Sequence, residues 1–204
     1  MTHRNLRYGI GVLLPLLLAG SPSCTSVNVA NYYYKNRPVL DSIQHTYKAA
    51  YKEKPFSIEF TDRSFKNISL ELKTDSLKYI YEFGSGEVLR MKDTLMKYKF
   101  DIPAISTLIG QMRSVHCTWI NNLDYYVGEE KDYLIYVSIW PQVFNFPFVG
   151  KRYNILAYFS RPQSFDQQGR LVTGRRIRRI RKINSEIFRK INDTVCYTLS
   201  DRFR

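Results

Sequence analysis

Between residues 56 and 83 the apolar positions fall on every second residue. Phe56, Ile58 and Phe60 alternate with polar neighbours, as do Ile68, Leu70 and Leu72, and then Leu77, Tyr79, Tyr81 and Phe83. A period of two places each set on one face of an extended chain, so three strands are expected here. Gly84-Ser85-Gly86 then marks a turn. Upstream the period changes. Leu40, Ile43, Tyr47 and Tyr51 recur at three- and four-residue spacing and predict a helix to about residue 53. Pro38 opens it, because the missing N–H costs nothing in a first turn. Residues 24–37 then read as a tether leading to a domain spanning 38–204.

Residues 87–100, "EVLRMKDTLMKYKF", fit a helix or a pair of short strands, and strands are favoured. Asp101 is a good N-cap with Pro103 in the first turn, and Ile102, Ile105, Ile109 and Met112 share the face of a middle helix. After the segment around Trp119 come two strongly apolar strands, 132–140 and 152–160, with "DYYVGEEKDY" (124–133) as a hairpin turn. A polar loop leads to a stripe of Ile177, Ile180, Ile183, Ile187, Ile191, Val195 and Leu199, which predicts a C-terminal helix. Strand runs separated by helices argue for an α+β fold. The expected architecture is an antiparallel sheet of about six strands packed by an N-terminal, a middle and a C-terminal helix.

The N-terminus changes the picture of where this domain works. Residues 1–7 are a short basic segment, and Tyr8 to Gly20 is an apolar run too short to span a bilayer. The following "LLLAGSPSC" resembles a bacterial lipoprotein signal. That resemblance covers residues 1–24 only. It implies cleavage after Ser23, fatty acylation at Cys24 and a lipid-anchored place in the cell envelope, at the outer membrane. Ser21 and Pro22 depart from the residues that family prefers. Four further tripeptides, Asp41–Ile43, Asp75–Leu77, Asp93–Leu95 and Asp193–Val195, are similar to an O-glycosylation acceptor on exported proteins of Gram-negative gut bacteria. The resemblance implies glycosylation at Ser42, Ser76, Thr94 or Thr194. Asp-Ser and Asp-Thr are also ordinary turn and cap pairs.

Export reinterprets the charge. The chain carries +13 from 31 basic and 18 acidic residues. Losing residues 1–23 removes Arg4 and Arg7 but no acid, leaving +11. Such a charge attracts polyanions in general. Much of it is concentrated in Arg175, Arg176, Arg178, Arg179, Arg181 and Lys182. Outside the cytoplasm, nucleic acid drops out as a partner, and this basic segment becomes a surface for anionic headgroups or a solvated helix face. With Cys24 acylated, Cys117 and Cys196 remain, either as a disulfide or as two buried thiols.

Candidate chemistry is sparse. His45 and His116 are the histidines left after cleavage, and His116 beside Cys117 cannot form a nucleophile pair within one strand. No metal-spaced cluster, nucleophile elbow or phosphate loop is present, so no metal or cofactor is expected. Asp124, Glu129, Glu130 and Asp132 gather at the hairpin, as a solvated turn or as the acids of a hydrolase acting on glycan or peptidoglycan. Trp140, Phe144, Phe146 and Phe148, backed by Lys151 and Arg152, could stack on a sugar, touch a membrane or dock an envelope protein. The alternative is that these rings cap the core. Non-enzymatic binding or an envelope-structural role is favoured, with the hydrolase second.

Overall fold

The computed structural model describes residues 23–74, 76–127, 130–143, 152–172 and 188–200. Three helices cover one face of a single antiparallel sheet, so the fold is α+β. The helices are α1 (Ser23–Glu53), α2 (Val88–Lys97) and α3 (Ile102–Ser114). The strands are β1 (Phe56–Phe60), β2 (Ile68–Lys73), β3 (Lys78–Phe83), β4 (Cys117–Val127), β5 (Glu130–Val143), β6 (Arg152–Phe159), β7 (Arg189–Lys190) and β8 (Val195–Ser200). Their order across the sheet is β3-β2-β1-β4-β5-β6-β8-β7. The six strands expected from periodicity are all present, as is the hairpin that joins β4 to β5 through Val127 and Glu130. Among the described residues the count is eight, because β7 and β8 follow those six.

That ending corrects the expected C-terminal helix over its described part. Asn192 Oδ1 accepts the N–H groups of Thr194 at 2.9 Å and Val195 at 2.8 Å, closing a turn that breaks the isoleucine stripe. Beyond it, Val195 and Tyr197 face the helix-side core while Cys196 faces the opposite side. Both faces are covered there, so the strand reads as a near-continuous apolar run that periodicity does not separate from helix.

Residues 87–100 are likewise corrected from strands to α2, whose buried residues Met91 and Leu95 stand one helical turn apart. α3 forms as expected. Asp101 Oδ1 accepts from the Ala104 N–H at 2.9 Å, and Ile105, Leu108, Ile109 and Met112 are buried.

The tether is the largest correction. α1 begins at Ser23 and runs through Pro38 without stopping. Proline inside a helix costs on the order of 3 kcal/mol, so packing must offset it. Val29 and Tyr33 are buried in phase with Leu40, Ile43, Tyr47 and Tyr51, which extends the apolar stripe across the proline. Three successive tyrosines hold this half of the helix, Tyr32 and Tyr34 by bonds to later segments and Tyr33 by one bond within α1 and another accepted from Asn192 Nδ2 at 3.3 Å. Tyr32 donates its hydroxyl proton to the Val115 carbonyl, Tyr33 to Asp41 at 3.3 Å and Tyr34 to the Ile191 carbonyl at 3.0 Å. Farther along, Tyr47 donates to the Phe56 carbonyl at 2.6 Å, tying α1 to the start of β1.

Candidate functional site

β1 and β2 carry one pattern twice. Phe56-Ser57-Ile58-Glu59-Phe60 and Ile68-Ser69-Leu70-Glu71-Leu72 both read apolar, Ser, apolar, Glu, apolar. The apolar residues pack beneath the helices, so each Ser and Glu stands on the opposite face. Antiparallel pairing then sets Ser57 against Glu71 and Glu59 against Ser69. The rows continue sideways, with Glu59 beside Trp119 of β4 and Ser69 beside Glu82 of β3.

These residues line a shallow cleft of about 160 Å³ on the β3–β2–β1–β4 half of the sheet. Ser57 and Ser69 form its floor at 6% and 4% exposure, beside Trp119 at 8%. Glu71 lies between two ammonium groups, with Lys78 Nζ at 2.6 Å and Lys73 Nζ at 3.5 Å. Asn121 joins the lining, and its Oδ1 already accepts from the Asn122 N–H at 2.8 Å, leaving its amide nitrogen as the group it can offer. The cleft therefore balances two glutamates against two lysines in a chain of charge +13. It is smaller than the roughly 300–1,000 Å³ of a pocket enclosing a drug-sized ligand, and holds one ring or one side chain. Chemically it offers carboxylate acceptors, hydroxyls of either sense and an indole edge, packed closely and without net charge.

The other half of this face is different. Leu134, Tyr136, Ile155, Ala157, Phe159 and Cys196 are covered by Leu171 and Phe188.

No family model, curated protein or solved structure matches this chain.

The residues singled out from sequence are scattered. Cys117 and Cys196 are both buried free thiols, the second of the two expected arrangements. They lie on β4 and β8 with β5 and β6 between them, about 14 Å apart at the usual strand spacing, and face opposite sides of the sheet. A disulfide needs Cα atoms within roughly 7 Å. Burial pushes both thiols up, that of Cys117 to about 12. His45 and His116 are exposed and stand alone, His116 at a turn with φ +47° and edge-on to Phe65. Among the described residues, no group of three His, Cys, Asp or Glu could hold a metal ion. No described helix is long and apolar enough to cross a membrane.

Of the four hairpin acids, Asp132 alone has a described side chain. Asp132 is 4% exposed and holds β6 in place, accepting from the Ser160 hydroxyl and pairing with Arg161 at 3.5 Å. Asp124 pairs with Tyr133, and Tyr125 with Asp132, so the two acidic positions alternate across the ladder. Glu130 begins β5, and Glu129 lies outside the described residues. Of the four candidate hydroxyls, Ser76 is exposed in the β2–β3 turn. Ser42 accepts from Gln111 Nε2 at 2.9 Å between α1 and α3. The Thr94 hydroxyl donates to the Arg90 carbonyl at 2.8 Å, and that of Thr194 to Asn192 Oδ1 at 3.2 Å.

Trp140 and Arg152 belong to the backbone ends of β5 and β6, while Phe144, Phe146, Phe148 and Lys151 lie outside the described residues. So do Arg175, Arg176, Arg178, Arg179, Arg181 and Lys182. Cys24 sits in the first turn of α1. Sequence reasoning missed Ser57, Glu59, Ser69, Glu71 and Trp119 as neighbours. The repeated Ser and Glu spacing of β1 and β2 was the available signal.

Proposed function

We propose that this protein is an exported bacterial lipoprotein, anchored through acylated Cys24, whose domain binds neutral glycan of the cell envelope on the polar half of its sheet. The observation that carries the binding reading is the Ser and Glu ladder of β1 and β2 beside Trp119. A solubilising surface needs only charge, whereas this one holds its two serines almost fully buried next to carboxylates and an aromatic edge. Closely spaced donors and acceptors beside an indole suit a sugar ring, which has hydroxyls at its rim and apolar C–H faces. Local charge balance selects against a polyanion, despite the charge of the whole chain.

The anchor reading draws support from α1. Cys24 and the buried Val29 are separated by about 7–8 Å of helix rise, so acylation would hold the domain against the membrane without slack. The basic 175–182 segment and the 140–152 loop remain proposed contacts with headgroups or an envelope protein. Intact mass of the protein from its native membrane tests the anchor. A diacyl or triacyl chain starting at Cys24 supports it, and an unmodified chain retaining Met1 refutes it. Added hexose would point to Ser76 first, because the other hydroxyls are engaged.

The hydrolase reading moves to a new pair of acids. Glu59 and Glu71 are diagonal neighbours on adjacent strands, with Cβ atoms about 7 Å apart, near the carboxyl spacing of glycosidases. Binding is preferred because Glu71 is already engaged by two lysines in the cleft. Release of reducing ends from peptidoglycan by the full chain, lost in Glu59→Gln, would reverse that preference.

A further inference from the structure

The free edge of the sheet supports an inference independent of the ligand. Among the described residues β3 is the terminal strand and pairs with β2 alone. The Thr74 N–H donates to the Leu77 carbonyl at 2.8 Å, and bonded and non-bonded pairs alternate along an antiparallel ladder. Tyr79, Tyr81 and Phe83 therefore direct their backbone groups at β2, while Lys78, Ile80 and Glu82 direct theirs outward. Such an edge is a template for another strand, and proteins commonly guard it with charge.

Here the charges are arranged in an unusual way for a guard. Lys78 and Glu82 have opposite signs and flank Ile80 symmetrically. If β3 meets β3 of a second copy about a two-fold axis at Ile80, each Lys78 stands opposite a Glu82, and each Tyr79 opposite a Tyr81. Ile80 then meets its own equivalent. The same register brings together the residues whose N–H and C=O groups point outward. Sliding by two residues sets Lys78 or Glu82 on Ile80 and loses both ion pairs, sliding by four sets Lys78 on Lys78 or Glu82 on Glu82, and sliding by one turns the wrong backbone groups to the edge. One register is favoured and its neighbours are penalised. Apolar exposure is concentrated here too. Ile80 is 51% exposed, and Leu77, Val88, Leu89 and Met96, all within this hairpin or α2, are also exposed.

We propose that the protein forms a two-fold homodimer through antiparallel pairing of β3 with β3, centred on Ile80. Because Lys78 and Ile80 also line the cleft, the two clefts would lie side by side across the axis.

Sedimentation of the full chain in detergent, combined with cysteine cross-linking, tests this. The unaltered chain should sediment as a dimer. Ile80→Cys should form an intermolecular disulfide under mild oxidation, since paired Cα atoms at the axis lie within disulfide reach. Glu82→Cys should not, because its own equivalent lies four residues farther along the ladder. Glu82→Lys should weaken the dimer about tenfold by opposing two lysines in each half. Lys78→Glu combined with Glu82→Lys should restore it. Glu82 is exposed, so an unchanged thermal melt will show that the single variant folds. A monomer at every concentration, equal cross-linking by Ile80→Cys and Glu82→Cys, or no rescue by the double variant would each overturn the proposal.

Discussion

The far face of the sheet consists of two surfaces built on one frame. On β5, β6 and β8 it presents Leu134, Ile155, Ala157, Phe159 and Cys196, sealed by Leu171 and Phe188. On β1, β2 and β3 it presents Ser57, Glu59, Ser69, Glu71 and Glu82, with a cleft among them. Toward the helices both halves are equally apolar, from Phe56 and Leu70 on one side to Leu156 and Val195 on the other. The difference lies entirely in alternate residues, which a strand can assign to two unrelated tasks. One half finishes a core. The other retains buried hydroxyls beside partly exposed carboxylates that stability alone does not require.

This contrast can be broken from either side. The largest effect belongs to the covered half. Phe188→Ala should cost about 3–5 kcal/mol, measured by urea unfolding, because it empties a sealed site. Raising the pH attacks acids buried on either side of the sheet. Cys117 is buried on the helix side with its thiol pushed up to about 12 by burial, and Tyr158 and Cys196 are raised for the same reason. An acid held neutral by the fold stabilises it fully below its unfolded value and loses that contribution as pH rises. Thermal melts should therefore be flat between pH 7 and about 8 and fall progressively above it, as the pH passes the unfolded thiol value of about 8.5. A melt insensitive to pH up to 11 would contradict the burial assigned to these groups.

On the open half the effects on stability are small. Glu71→Gln gives up partly exposed pairs with Lys73 and Lys78 and should cost less than about 1 kcal/mol in the same unfolding assay. Ser57→Ala combined with Ser69→Ala should fall below about 0.5 kcal/mol while weakening any ligand of the cleft. A loss of several kcal/mol from either change would mean that this half is structural after all.

The two halves were also unequally legible. β1, β2 and β3 alternate because one face is polar, so period two revealed them residue by residue. β5 and β6 read as continuous apolar runs because both their faces are covered, and this too pointed to strands. The same covering hid β8, whose Val195–Ser200 run joined in phase to an isoleucine stripe that resembled a helix. The first half of α1 was obscured by Pro38. A local rule stopped the helix there, while the continuation of Val29 and Tyr33 into the core overrode it. The cleft lay in plain view as a Ser and Glu pattern repeated twice, but only the antiparallel register of β1 with β2 turns that repetition into a site.

The most direct test of the account uses Trp119 as its own reporter. The sequence has two tryptophans, so Trp140→Phe leaves Trp119 alone in the full chain. Titration with soluble peptidoglycan fragments and chitotetraose, followed by tryptophan fluorescence, should give a saturable change. Glu59→Gln and Glu71→Gln in that background should each weaken it by about tenfold or more, as expected when a ligand hydroxyl loses a charged partner. No change with either saccharide, or a change untouched by both substitutions, would contradict the assignment of the polar half-face as a glycan site.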